Sequence, residues 1–298
     1  MKVAILTVFY PEMVNNYKEY LSCISNQTYK DFTLVIVDDN FPKDTSKLIK
    51  KYNLKYHIIS SNKHPQLNRI EGLKYCYDQN FDIVIFSDSD ETMSHERVGK
   101  IFKFFCVNVG VDLVFNNSIA KSDESFFTLF YKEKIELVDI LDFNMLGYGA
   151  MNCRRSHIPF IIKNINLNIY AFDWWLALIF LIENKNIYFL KDVKNYYRIH
   201  ENNFVGPALS INEKRVLQSI QTKLVVYKEM LNYCERNGFH SKGFIFKKKY
   251  SDTKDLSSYI LENGSEGYLK NVKHYFRNFK NIYWWQEALS LKQLKIRS

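Results

Sequence analysis

Glycine and proline are scarce in this 298-residue chain, at 10 and 5 residues. Thr7 to Glu12, directly after the first apolar strand, contains no glycine. That argues against the glycine-rich loops that wrap backbone N–H groups around a phosphate. Cysteine is sparse and scattered. Cys23, Cys76, Cys106, Cys153 and Cys234 are odd in number and include no Cys-x-x-Cys pair. Neither a zinc site nor a disulfide framework is indicated, and a reducing compartment is expected. Long apolar runs are missing too. The longest, Trp174 to Ile182, is about half of what a bilayer span needs. Val3 to Val8, behind Met1-Lys2, is too short for a signal-peptide core. No repeat or low-complexity stretch is present. The expectation is a cytoplasmic protein without a transmembrane helix.

Aromatic residues and positive charge are abundant instead. There are 21 Tyr and 23 Phe, and 41 Lys+Arg against 32 Asp+Glu leave a net charge of +9. A polyanionic partner follows: a phosphorylated substrate, an anionic membrane or a nucleic acid. Residues 241–298 hold 12 Lys+Arg and 5 Asp+Glu. There Tyr275, Phe276, Phe279, Tyr283, Trp284 and Trp285 alternate with Lys273, Arg277 and Lys280. This mixture suits the headgroup zone of an anionic membrane. A helical lobe with packed aromatics accounts for it equally well. No nucleic-acid motif accompanies the charge, so no nucleic-acid partner is expected.

Strand and helix patterns alternate through the first 115 residues. Strands are expected at Val3–Val8, Phe32–Val37, Tyr56–Ile59, Ile83–Phe86 and Asp112–Phe115. Helices are expected at Val14–Cys23, Lys43–Tyr52 and Gln66–Tyr77, with Ser94 capping the next. Such alternation implies right-handed crossovers and a mainly parallel α/β sheet flanked by helices. After residue 116 the pattern loosens. A strand is expected at Phe126–Tyr131, a helix at Glu133–Leu141, and strands at Ile187–Leu190 and Asn195–Ile199. Ala171–Ile182 is apolar on all sides and reads as a buried helix. From about residue 212 the chain is helical, beginning with Val216–Tyr233. The expected organisation is an α/β domain over 1–210, with a nucleotide-binding half to about 116 and an acceptor half beyond it. A helical, basic and aromatic extension follows over 211–298.

Ile83–Phe86 is apolar on both faces and runs into Asp88, Asp90 and Glu91. Phe32–Val37 likewise runs into Asp38 and Asp39. Carboxylates at strand ends enter the crevice where open α/β sheets bind ligands. Crowded carboxylates favour a hard divalent cation shared with substrate phosphates. A solvated acidic turn is the plainer account of either pair alone. Asp173, at the start of the buried helix, also suits the helix dipole without further purpose.

Taken together, the pieces resemble the family 2 inverting glycosyltransferases, which have the GT-A fold. The resemblance rests on Ser25–Phe32 with Val35–Asn40, on Asn68-Arg69, and on Ser87-Asp-Ser-Asp90. It continues with Arg154–Ser156, Phe172-Asp-Trp174 and Tyr197–Asn203 (Tyr-Arg-Ile-His-Glu-Asn-Asn). It covers roughly residues 1–206, and departs from the family's usual residues at Phe9–Pro11, Asn40-Phe41 and Phe172. It implies a nucleotide-sugar donor, a UDP-sugar in first place, held by Thr7, Asp39, Arg69 and Asp88. It implies Mn²⁺ or Mg²⁺ at Asp90, with His200 as a further contact. Asp173 would be the general base, with Gly149, Arg155 and Trp174 in the acceptor region. The acceptor would be a glycan or lipid-linked hydroxyl in surface polysaccharide synthesis, reached at the inner face of a membrane. Two alternatives share the sheet and its carboxylates: a nucleotidyltransferase acting on a sugar phosphate, and a non-catalytic sugar- or lipid-binding protein.

Overall fold

A computed structural model describes residues 1–120, 133–198, 211–279 and 282–296. The expected strand Phe126–Tyr131 and the candidate ligand His200 lie outside the described residues. The strands are β1 (Val3–Phe9), β2 (Phe32–Asp39), β3 (Tyr56–Ser61), β4 (Ile83–Phe86), β5 (Thr92–Met93), β6 (Leu113–Ala120), β7 (Lys134–Ile135), β8 (Met151–Arg154) and β9 (Ile187–Tyr197). The helices are α1 (Tyr17–Ser25), α2 (Thr45–Ile49), α3 (Pro65–Asp78), α4 (Arg97–Val107), α5 (Leu137–Ile140), α6 (Ile158–Lys163), α7 (Phe172–Ile182), α8 (Glu213–Arg236), α9 (His240–Asn263) and α10 (Glu266–Phe276). No helix among the described residues is long and apolar enough to cross a membrane.

The chain divides into two compact units interleaved in sequence. The first comprises Met1–Ile135, Leu146–Ile165 and Lys185–Ile199. It is built on one sheet in the order β3-β2-β1-β4-β8-β6-β9-β5, with β7 paired to β9. β3, β2, β1 and β4 are parallel. Every side chain of β4 is buried, as a strand covered on both faces requires. Gly72 lets α3 sit close on β1, since a Cβ there would lie 2.3 Å from Leu6 Cδ1. The expected parallel pairing holds for these four strands, and the sheet is mixed beyond them. β8 runs antiparallel to both β4 and β6. It is entered from a 3-10 turn at Tyr148–Ala150, and an antiparallel strand needs no crossover helix.

Two local expectations change. Ile187–Leu190 and Asn195–Ile199 form one strand, β9, up to Tyr197, interrupted by a bulge where Asn116 pairs with Leu190 and Asn117 with Lys194. The polar residues 191–192 are exposed there. Ser94 does not cap α4. Its hydroxyl accepts from Lys194 N–H at 3.4 Å and so fastens β9.

The second unit comprises Glu136–Met145, Asn166–Asn184 and His200–Ser298. It includes two segments from within the stretch expected to form the α/β domain. Nine of the eleven residues of α7 are buried, as its all-round apolarity predicts. The Trp174 ring stacks on Trp285 at 5.3 Å and meets Tyr227 edge-on at 5.9 Å. Its indole N–H donates to Ile140 O at 2.7 Å. Phe276, Tyr283, Trp284 and Trp285 are buried as well. Of the aromatic cluster expected at a membrane surface, Tyr275 and Phe279 are the exposed members.

Lys223 is buried in this unit, and its Nζ donates to Ala288 O at 2.7 Å. Burial pulls its pKa down to about 8, against the opposing pull of Asp142 and Glu287. The folded state therefore binds fewer protons than the unfolded chain between about 8 and the ordinary lysine value of 10.5. Charged Lys223 costs stability in full below that window, and the cost fades through it. Asp142 and Glu287 keep Lys249 and Arg215 as partners. Lys223→Met removes this charge but leaves Ala288 O without its donor, so any gain in melting temperature over wild type is expected to be largest at neutral pH and to shrink as pH rises through the window. Paired thermal melts across this range check it. A gain independent of pH would show that the lysine charge is not its source.

Candidate functional site

The parallel register brings the ends of β2, β1 and β4 to one edge of the first unit, where Phe9 pairs with Asp38 and Leu6 with Phe86. Ser89 anchors the loop after β4 by donating its hydroxyl to Val8 O at 2.6 Å. On either side of Ser89, Asp88 and Asp90 emerge at this edge. Glu91 turns inward and is 7% exposed, its Oε2 accepting from Asn195 Nδ2 at 3.0 Å.

Asp88 is the best-defined carboxylate. Its Oδ1 faces Arg69 Nη2 at 3.4 Å, and its Oδ2 accepts the Gly149 N–H at 3.1 Å. The Arg69 guanidinium lies over the Tyr148 ring, 3.7 Å from the centroid, a stacked and partly desolvated arrangement that favours arginine over lysine. The Asp88 side chain keeps about 29% of its surface open and is otherwise densely surrounded. Burial, with Asp90 adding repulsion, pushes its pKa up to about 6, while Arg69 and the Gly149 N–H pull it back. Burial, then Asp88 and Asp90, likewise raise Glu91. Tyr10, just past β1, is raised first by burial and then by the charges of Asp90 and Asp88, and its hydroxyl is bonded to Asp90.

Gly149 is required by space. A Cβ there would lie 2.9 Å from both Asp88 Oδ2 and Glu91 Oε2, and 3.1 Å from Asp88 N.

The acids after β2 separate into two roles. Asp38 accepts from Phe41 N–H at 2.9 Å and from the Thr45 hydroxyl, which makes it the organiser of its own turn. Asp39 is bonded to Asn68 and is raised by burial. Thr7 is 1% exposed. Its hydroxyl is buried within the sheet, beside those of Tyr20 and Ser87. Arg155 also serves the scaffold. It donates to Tyr77 O at 2.9 Å and lies over the Tyr77 ring.

The structure thus gathers Asp88, Asp90, Arg69 and Gly149 in the first unit, with Asp39 at the same sheet edge. Asp173 and Trp174 belong to the second unit. Asp173 is half-buried in the first turn of α7, and its Oδ1 accepts the Trp174 N–H at 2.8 Å. Trp174 is wholly buried and packs in the core of the second unit.

Asp88 and Asp90 offer the hard oxygens a divalent ion prefers, and their mutual repulsion is what a cation would relieve. Among the described residues, no three His, Cys, Asp or Glu side chains are grouped to hold a metal alone. An ion of the Mg²⁺ type takes one or two carboxylates and completes its shell with substrate phosphates and water, a requirement that Asp88 and Asp90 could meet.

Several residues that shape the site were not among the sequence candidates: Tyr10, Tyr148, Arg97, Asn116, Asn152 and Asn195. A signal existed for Arg97, which shares the buried face of α4 with Ile101 and Phe105 at four-residue spacing. Asn116 gave a weaker one, as a polar residue directly after the apolar run Leu113–Phe115.

A sequence model described as glycosyl transferase family 2 matches residues 4–164, more than half of the chain. The dTDP-rhamnosyl transferase RfbG of Shigella flexneri is 25% identical over 212 residues, covering 66% of this chain and 73% of that protein. The S. aureus TarS 1–349 structure in complex with UDP aligns with a TM-score of 0.56 at 16% identity, over 78% of this chain and 66% of that one. The mannosyltransferase PcManGT from Pyrobaculum calidifontis, in complex with GDP-Man and Mn²⁺, aligns with a TM-score of 0.56 at 11% identity, over 93% and 81%. At these identities the structural likeness speaks for the fold.

Proposed function

The chain belongs to glycosyl transferase family 2, and on that premise we propose that it moves a sugar from a nucleoside-diphosphate sugar to a hydroxyl of a glycan or lipid-linked acceptor, with inversion at the anomeric carbon. The observation that carries this reading is the cluster of Asp88, Asp90, Arg69 and Gly149 at the carboxyl ends of the parallel strands. RfbG is named a dTDP-rhamnosyl transferase, so a pyrimidine nucleotide is the favoured donor base.

In this reading Asp39 and Asp88 orient the nucleoside and Arg69 faces the diphosphate. Asp90, with Asp88 beside it, would hold a divalent ion. Such an ion supplies Lewis-acid stabilisation of the charge that grows on the departing diphosphate. The acceptor hydroxyl attacks C1, the C1–O bond to the diphosphate breaks, and its electron pair leaves with the nucleotide. Asp173 takes the hydroxyl proton. Its half-exposed carboxylate at a helix start suits a base that must meet substrate, and general-base assistance contributes typically ~10²–10⁴-fold.

The test is release of nucleoside diphosphate from UDP-, dTDP- and GDP-sugars with Mn²⁺. Soluble glycans and lipid-linked acceptors in anionic vesicles are supplied in parallel. Acceptor-stimulated release from one donor is expected. Absence of release from every donor and acceptor would favour the non-catalytic alternative, and formation of a nucleotide sugar from a sugar phosphate would favour the nucleotidyltransferase.

A further inference from the structure

Beneath the donor cluster lies a wholly buried cation. Arg97 is 0% exposed. Its Nη2 donates to Phe86 O at 2.8 Å and Gly149 O at 2.7 Å, and reaches Asn152 Oδ1 at 3.3 Å. Its Nε donates to Asn116 Oδ1 at 3.1 Å. Asn195 adds a second hold, giving Nδ2 hydrogens to Gly149 O at 2.7 Å and Glu91 Oε2 at 3.0 Å. Asn116 steadies Asn195 by donating to its Oδ1 at 3.1 Å. All four of these side chains are at most 2% exposed.

The location of this network matters more than its size. On the β8 side, the ladder between β4 and β8 ends at the Ile85–Asn152 pair. Just past that end, β4 becomes the Asp88–Glu91 loop, and residues 147–150 form the turn that carries Gly149. Arg97 spans this opening and binds a carbonyl on each side. The two carbonyls would otherwise lose a partner in a dry interior, a cost of roughly 1–3 kcal/mol each. The same Gly149 that Arg97 and Asn195 hold by its carbonyl gives its N–H to Asp88. A buried charge does not require a stabilising purpose, because apolar replacements of buried ionic groups are often neutral or better for stability. Its geometry suits placement: Nη2 alone fixes two backbone segments at once, while Nε holds Asn116.

We propose that Arg97, seconded by Asn195, is a positioning residue of the donor site, setting the separation between the Asp88–Glu91 loop and the Gly149 turn. This rests on the donor-site reading above, yet it is measurable without substrate. Arg97→Met is expected to lose amide hydrogen-exchange protection in peptides covering 87–91 and 146–151, while peptides from β2 keep theirs. Nucleoside diphosphate affinity, measured calorimetrically with UDP and Mn²⁺, is expected to fall about 10- to 100-fold, the usual cost of removing a group that orients a ligand-bearing one. Arg97→Lys should restore part of both losses, and Asn195→Leu should reproduce them in milder form. Exchange at Gly149 that is unchanged in Arg97→Met and Asn195→Leu overturns the proposal. So does a loss of protection that is global or follows the melting temperature, including failure to fold, which would make Arg97 a core residue. If wild type binds none of UDP, dTDP and GDP but the local exchange effect is present, the donor assignment fails while the role of Arg97 in spacing the loop and the turn stands.

Discussion

Gly149→Ala is expected to reduce kcat/KM by about 100-fold or more, on the rule that a shift of about 1 Å in a reacting group costs that much. The added methyl would sit 2.9 Å from an oxygen of Asp88 and 2.9 Å from an oxygen of Glu91, with the Asp88 backbone N at 3.1 Å. Two carboxylates and a main-chain atom would all have to give way, or the turn would have to retreat. Retreat of the turn would break the Gly149 N–H bond to Asp88 and pull its carbonyl from Arg97 and Asn195. The defect should fall on donor binding as well as turnover. Steady-state kinetics with calorimetric donor titration read it, and far-UV circular dichroism shows whether the fold is retained. A folded Gly149→Ala protein with wild-type kinetics would mean that the turn is not part of the site.

Asp173→Asn is expected to show the opposite division. Removal of a general base should lower kcat by roughly 10²–10⁴-fold while leaving donor affinity near wild type. Asn is nearly isosteric, and its side-chain oxygen can still accept the Trp174 N–H that Asp173 Oδ1 now receives. The helix start should therefore survive. Asp90→Ala serves as the contrast. It removes a proposed ion ligand and should weaken divalent-ion and donor binding together. Near-normal turnover by Asp173→Asn would exclude it as the base, and the acceptor proton would then need another carrier.

The first half of the fold could be read from residues because each strand there is a short apolar run separated from the next by a helix, and one period follows another. Ile83–Phe86 and the carboxylates behind it were legible for that reason. β9 was harder. Its polar interruption at Lys191 and Asp192 is a bulge inside one strand, and local pattern does not separate a bulge from a strand end. The reach of the second unit was hidden for a different reason. Trp174 sits beside Asp173 in sequence, but its ring belongs with Tyr227 and Trp285. A tryptophan next to a candidate base looks the same in sequence whether it faces an acceptor or a core.

The site was legible at its acids and less so at what holds them. Asp38 and Asp39 are indistinguishable as letters, and only the turn at Phe41 and Thr45 assigns the first to structure. Thr7 and Arg155 have the right chemistry to bind substrate, yet the first is buried and the second lies over Tyr77 with its Nε on the Tyr77 carbonyl. The Arg97 network is assembled from α4, β6, β8 and β9, so no single window of sequence contains it.

The proposed function requires the cluster at the end of β4 to bind a nucleoside-diphosphate sugar together with a divalent ion. Calorimetric titration of the full chain with UDP-, dTDP- and GDP-sugars, with Mn²⁺ and then with chelator, tests it most directly. Saturable binding of a pyrimidine-nucleotide sugar that requires the ion and is lost in Asp90→Ala is expected. Binding that persists unchanged in Asp90→Ala, or no binding of any of these donors with the ion present, would contradict it.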